Sequence, residues 1–217
     1  MPQIFSFSAN SYTKVGIIVG LFTLAGVGGT LFQLGADSSY ATNQGVARVQ
    51  PVQFSHSHHV SSMGIDCRYC HTSVENAAYA NIPPTKTCMN CHSQIWTGSP
   101  ELEMVRASYR NDTSIPWVKV HDLPDFVYFN HSIHVKKGMG CETCHGRVDL
   151  MPLVYQKNSL EMRWCLDCHR NPEKYIRPRS EIFTMGYKYP ENQEEVGLKL
   201  IQEYKVQRLE TCNTCHR

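Results

Sequence analysis

Phe129-Asn-His131-Ser-Ile-His134-Val135-Lys-Lys-Gly138-Met-Gly-Cys141-Glu-Thr-Cys144-His145 is the stretch that decides how this chain is read. Its last five residues place two thiols three positions apart with a histidine directly after them, the spacing of c-type haem attachment. The thiols add to the two vinyl groups on one porphyrin edge, and the next imidazole turns under the iron. The same unit recurs as Cys67-Arg-Tyr-Cys70-His71, Cys88-Met-Asn-Cys91-His92, Cys165-Leu-Asp-Cys168-His169 and Cys212-Asn-Thr-Cys215-His216. These units use all ten cysteines.

Structural zinc also takes Cys-x-x-Cys pairs, but two at a time. Five pairs is odd, and zinc gives no reason for a histidine after each. A disulfide framework has no cause to repeat one spacing five times, and the clustered cysteine run of ferredoxins is missing. The expected cofactor is therefore five covalently bound haem c, with His71, His92, His145, His169 and His216 as proximal ligands.

Working upstream, Phe129-x-His131-x-x-His134-Val135 has a counterpart in Phe54-Ser-His56-Ser-His58-His59-Val60. Histidines three apart share one face of a helical turn and can reach two different irons. Each phrase precedes two haem units, so His56, His59, His131 and His134 are the expected sixth ligands of four haems. For the fifth, the candidate is His121 in Trp117-Val-Lys-Val-His121-Asp-Leu-Pro124. Met139, Met151, Met162 and Met185 compete for that place, and a Met/His pair raises a haem potential. His58 reads as the spare histidine.

The recurrence of phrase and units in one order suggests internal duplication. The segments expected are a cytoplasmic N-terminus over 1–14, a transmembrane anchor over 15–35 and a linker over 36–52. A first two-haem module covers 53–96, and an insertion over 97–128 carries Trp117 and His121. A second two-haem module follows over 129–172, then a C-terminal part over 173–217 with the fifth unit. Val15 to Leu34 holds no charge, and twenty helical residues span about 30 Å, one hydrocarbon core. A cleaved signal peptide is the alternative, but its apolar core is usually only about 7–15 residues. From Glu191, apolar Val196, Leu200, Ile201, Tyr204 and Leu209 fall mostly at steps of three or four, which predicts a helix of about 20 residues.

The formal charge is only +2, which argues against nucleic acid as a partner. An apolar content of 41% is too low for a polytopic membrane protein. With so few side chains per porphyrin, the fold class expected is mainly α with sparse regular structure. It comprises one N-terminal transmembrane helix and a multihaem cytochrome c domain of short helices and loops. Haem c is attached outside the cytoplasmic membrane, and Lys14 flanks the anchor on its amino side, as the positive-inside tendency prefers. Both place the haem domain of this single-pass protein on the periplasmic side of a bacterial cytoplasmic membrane.

The anchor, the five units and the two phrases together resemble the pentahaem cytochrome c subunit of alternative complex III, a bacterial quinol:electron-acceptor oxidoreductase. The most specific stretches are Trp117 to His131, Cys141 to Gly146 and Met162 to Pro172. That resemblance implies a class III-like fold and a relay of electrons from quinol oxidised in partner subunits. The partners implied are membrane-embedded quinol-binding subunits, an iron–sulfur molybdoenzyme-like subunit and a monohaem cytochrome c subunit. A soluble cytochrome c or a copper protein is implied as acceptor, the lipid bilayer as surroundings. No catalytic residue is expected in this chain. The alternative is a stand-alone anchored multihaem quinol dehydrogenase feeding periplasmic reductases. Against it, His71-Thr-Ser-Val lacks the methionine two residues after the motif histidine found in one branch of that family.

Overall fold

The structure, a computed structural model, describes residues 4–216. The first three residues of the expected 1–14 segment, and Arg217, lie outside the described residues. The chain divides into two compact units that meet between Asn43 and Gln44.

In the first unit, α1 runs Phe7–Ala36, 30 residues with none buried, or about 45 Å of helix. It is the one helix among the described residues long and apolar enough to cross a membrane. It starts ahead of Val15 and takes in the polar Ser11, Tyr12 and Thr13. Thr13, Thr23 and Thr30 each turn the hydroxyl back onto the carbonyl four residues earlier, at 2.8–2.9 Å. These bonds pair the three hydroxyls within the helix itself. Asp37 closes the helix and accepts from Gln33 Nε2 at 3.0 Å. A single turn, α2 (Ser39–Thr42), ends on Asn43 in the left-handed region.

The second unit is mainly helical and has no sheet among the described residues, only isolated bridges such as Gln44 with Gln156 and Met139 with Ile176. Its helices are short: α3 (Cys67–Cys70), α4 (Thr85–His92), α5 (Glu103–Asn111), α6 (His131–Lys136), α7 (Cys141–His145), α8 (Met162–Arg170), α9 (Gln193–Tyr204) and α10 (Cys212–Cys215). Every haem unit therefore forms or closes its own turn of helix. The protein core is small and divided. Val52, Val105 and Ile115 make one cluster, Val74, Val135 and Ile182 a second, and Ile176, Leu200 and Tyr204 a third.

The helix expected at about 20 residues near the C-terminus is α9, and it has 12. It stops because its last carbonyls are captured. Lys137 Nζ donates to Tyr204 O at 2.6 Å and Lys205 O at 3.0 Å, a cation placed at the negative end of the helix dipole. Lys205 turns left-handed at φ 52°, and the chain leaves as irregular backbone toward the fifth unit. Gly197, Leu200 and Tyr204 form the buried face of α9. A Cβ at Gly197 would stand 2.0 Å from Glu173 O, so the helix touches backbone there. Gly197→Ala is expected to cost about 1–3 kcal/mol by overpacking, read as a lowered Tm of the haem-loaded protein. An unchanged Tm would show that the contact yields without cost.

Candidate functional site

The two histidine phrases fold as near copies. Phe54 stacks on His59 (ring centres 4.4 Å, 26°) and meets His56 edge-on (4.8 Å, 87°). Phe129 stacks on His134 (4.4 Å, 28°) and meets His131 edge-on (4.8 Å, 90°). In each phrase the second histidine binds the carbonyl four residues earlier through Nδ1, His59 to Ser55 O and His134 to Asn130 O, both at 2.8 Å. One difference separates them. The first phrase winds as a π-helix, Ser57–Ser62, while the second is the α-helix α6, with Asn130 Oδ1 accepting from Ile133 N at its start. Eight residues lead from His59 to Cys67 against seven from His134 to Cys141. A π-turn takes up an added residue in this way.

Each second histidine faces the histidine of the second unit of its module. His59 and His92 have ring centres 6.2 Å apart, and His134 and His169 are at 6.1 Å. His131 and His145 stand at 6.4 Å. With metal–nitrogen bonds of about 2 Å, two opposed imidazoles on one iron have ring centres about 6 Å apart. His56 lies within electrostatic range of His71. Burial and the nearby His71 and His59 hold His56 down to a pKa of about 4, so it stays neutral, the form that binds metal.

Six histidines use Nδ1 toward a backbone carbonyl. Beside His59 and His134 they are His71 to Asn81 O (2.7 Å), His92 to Ile95 O (3.2 Å), His131 to Ala78 O (2.9 Å) and His216 to Phe126 O (3.1 Å). A carbonyl only accepts, so the Nδ1 carries the proton and Nε2 keeps its lone pair for a metal. The more distant of these partners carry no local signal in the sequence. His131 and Ala78 are 53 positions apart, His216 and Phe126 are 90.

His121 is held neutral by burial, with a pKa of about 4, and its Nε2 is buried without a hydrogen-bond partner. Its ring contact is with His145, edge-on at 4.3 Å, rather than with His216. Two rings that close leave no room for an iron between them. His145 is hemmed in by His121, His131, His71 and His56, and burial pushes it to a pKa of about 3. His58 is exposed and stacks on Trp96 at 6.1 Å. Among the competing methionines, Met151 is buried and Met162 exposed.

The cysteine units form a row. Asn90 in the second unit donates to Tyr69 of the first at 3.1 Å, and Cys70 lies in electrostatic range of Cys88. Cys67 of the first is in range of Cys141 of the third. Cys144 is in range of Cys165 and Cys168, and Cys165 of Cys215. Arg170 and Glu210 pair at 2.9 Å between the last two units. The spatial order is second, first, third, fourth, fifth.

No two of the ten cysteines are joined in a disulfide. Burial raises Cys141 and Cys144 to a pKa of about 12, the direction opposite to that of a reactive redox dithiol. Among the described residues no three or more His, Cys, Asp or Glu converge as a cage for a bare ion. Cysteine pairs beside histidines whose Nδ1 is engaged by a carbonyl, leaving Nε2 as the ligating atom, fit haem c.

Comparison with known proteins agrees. Residues 127–217 match the family of cytochrome c7 and related cytochromes c, and residues 34–122 match the class III cytochrome c family. The menaquinone reductase multihaem cytochrome c subunit of Nitratidesulfovibrio vulgaris is 31% identical over 143 residues, covering 56% of this chain and 68% of that subunit. The chain belongs to the multihaem cytochromes c. The two matched regions of this cytochrome each contain one histidine phrase and the units after it, the same division that the paired ring geometry draws. Covalently bound haem c is its cofactor, and electron transfer is its business.

Proposed function

We propose that this cytochrome is a membrane-anchored pentahaem subunit that relays electrons within a quinol:electron-acceptor oxidoreductase of the alternative complex III type. One observation carries the relay reading: the opposed histidine pairs His59/His92, His134/His169 and His131/His145 at 6.1–6.4 Å. A metal held from both sides by protein imidazoles has no open position for oxygen or a small substrate. When bound, haem c supplies a one-electron carrier at each unit.

The chain's own residues do the rest. The ten cysteines, from Cys67 and Cys70 to Cys212 and Cys215, fix five carriers. His71, His92, His145, His169 and His216 would supply one ligand to each carrier, and His56, His59, His131, His134 and His121 the second. Carbonyls of Ser55, Ala78, Asn81, Ile95, Phe126 and Asn130 set each ring's tautomer and direction. The row of units gives electrons one continuous path. α1 anchors the chain, with residues beyond it on the periplasmic side, and quinol chemistry falls to membrane-embedded partners. The iron–sulfur molybdoenzyme-like and monohaem cytochrome subunits complete the assembly, and a cytochrome c or copper protein accepts the electrons.

A second reading has support from the Nitratidesulfovibrio vulgaris relative, a subunit of a menaquinone reductase. There electrons would run into the quinone pool rather than out of it. Purification from membranes in mild detergent tests both. The proposal expects a stable multi-subunit assembly in which added quinol reduces the cytochrome. Reduction of menaquinone by the pre-reduced assembly, without the reverse, supports the second reading. The isolated chain oxidising quinol by itself would contradict both and favour the stand-alone dehydrogenase.

A further inference from the structure

Arg177 is only 2% exposed, one of the two most deeply buried large side chains. Its guanidinium lies against the turn that opens the third unit. A Cβ at Gly140 would stand 2.3 Å from its Cζ, so the glycine makes room for it. Nη2 donates to Thr143 Oγ1, inside the Cys141–Cys144 pair, at 3.3 Å and to the Tyr189 hydroxyl at 3.4 Å. Nη1 donates to Thr184 O at 3.1 Å and Glu181 O at 3.4 Å. The rings of Tyr187 and Tyr189 cover it at 4.7 and 5.4 Å.

All four acceptors are neutral, and Nε is buried with no partner. Among the described residues no carboxylate pairs with Arg177, whereas the nearby Arg147 has Asp149 at 2.7 Å. A buried cation without a counter-charge is costly to keep. Its field also reaches far, because little water screens it.

We propose that Arg177 is a fixed positive charge that raises the reduction potential of the carrier attached at Cys141 and Cys144. The proposal rests on the reading of that unit as a haem c site. One added electron lowers the charge of the neighbouring site by one, and Arg177 repels that site less afterwards. The electron comes from the adjacent unit of the row, fed by the quinol-linked activity, and no bond or proton moves. The third unit stands in the middle of the row, and Arg177 makes that station hold its electron more readily than it would without the charge.

The test is a potentiometric titration of the haem-loaded, full-length protein, followed optically and by electron paramagnetic resonance. Haem content is measured first, so a failure of the haem c reading at this unit is seen separately as fewer than five haems in the unaltered protein. Arg177→Gln keeps donors and removes charge, and Arg177→Met fills the space with an apolar chain. Each is expected to lower one of five components by about tenfold in its oxidised-to-reduced ratio, or about 59 mV for a one-electron couple. Arg177→Lys, which keeps the charge, is expected to leave that component near its original place. Five unchanged components in either neutral variant overturn the proposal, as does an equal downward shift in the lysine variant. Failure of both neutral variants to carry five haems makes Arg177 a folding residue and also overturns it.

Discussion

His121→Ala is expected to turn one haem in five from a six-coordinate, low-spin site into a five-coordinate, high-spin one, with the other four unchanged. His121 is buried, neutral and has an Nε2 with no hydrogen-bond partner. An unpaired buried nitrogen costs about 1–3 kcal/mol unless something binds it, and a metal is the partner that its chemistry suits. The tight edge contact with His145 at 4.3 Å rules out one iron between those two rings. The ligand His121 provides therefore goes to a different iron from that of His145. The fifth haem is our assignment, since we assign the four histidines of the two phrases to the first four. His58→Ala is the control. His58 is exposed on Trp96, and its loss is expected to leave every haem low-spin. An unaltered spectrum in His121→Ala would move the ligand to a methionine. Met151, the buried one, is then the next variant to make.

The second large effect concerns folding. Chain produced without haem attachment is expected to show no cooperative unfolding transition and no fixed tertiary signal in near-ultraviolet circular dichroism. The haem-loaded protein should melt in one sharp step. Unit 2, residues 44–217, has ten buried hydrophobic residues among those described. Nine of them are split among three separate groups of three. A contiguous core is what stabilises an ordinary domain of this size, and porphyrin must complete this one. The turn at Pro172–Lys174 against α9 is the best-packed piece without haem, held by Gln193 Nε2 to Glu173 O and Ile176 O at 2.8 and 2.9 Å. One such contact does not order the remainder. A cooperative melt of the haem-free chain would show that the side chains suffice.

What the residues disclosed in advance was local. A thiol pair and the next histidine lie within five positions, and so do the paired histidines of each phrase. The anchor is one uninterrupted apolar run. The mainly helical class with sparse regular structure followed from how few side chains accompany each porphyrin. What stayed hidden depends on long reach. The carbonyls that orient His131 and His216 come from 53 and 90 positions away. The early end of α9 depends on Lys137, 67 positions before Tyr204. Periodicity alone ran the helix on to Leu209, because nothing near Lys205 in the sequence announces a captured C-terminus. Arg177 reads as one basic residue among 21, and only its burial against Gly140 gives it a role. The order of the units in space is likewise a property of packing, since the first sits between the second and the third.

The account depends most directly on the number of haems per chain. Alkaline pyridine spectra of the purified protein give haem content, quantitative amino-acid analysis gives protein, and denaturing electrophoresis shows whether the haem is covalent. The expected ratio is five covalently bound haems per chain, one for each Cys-x-x-Cys-His unit. A ratio clearly below five, or haem that is lost on denaturation, would contradict it.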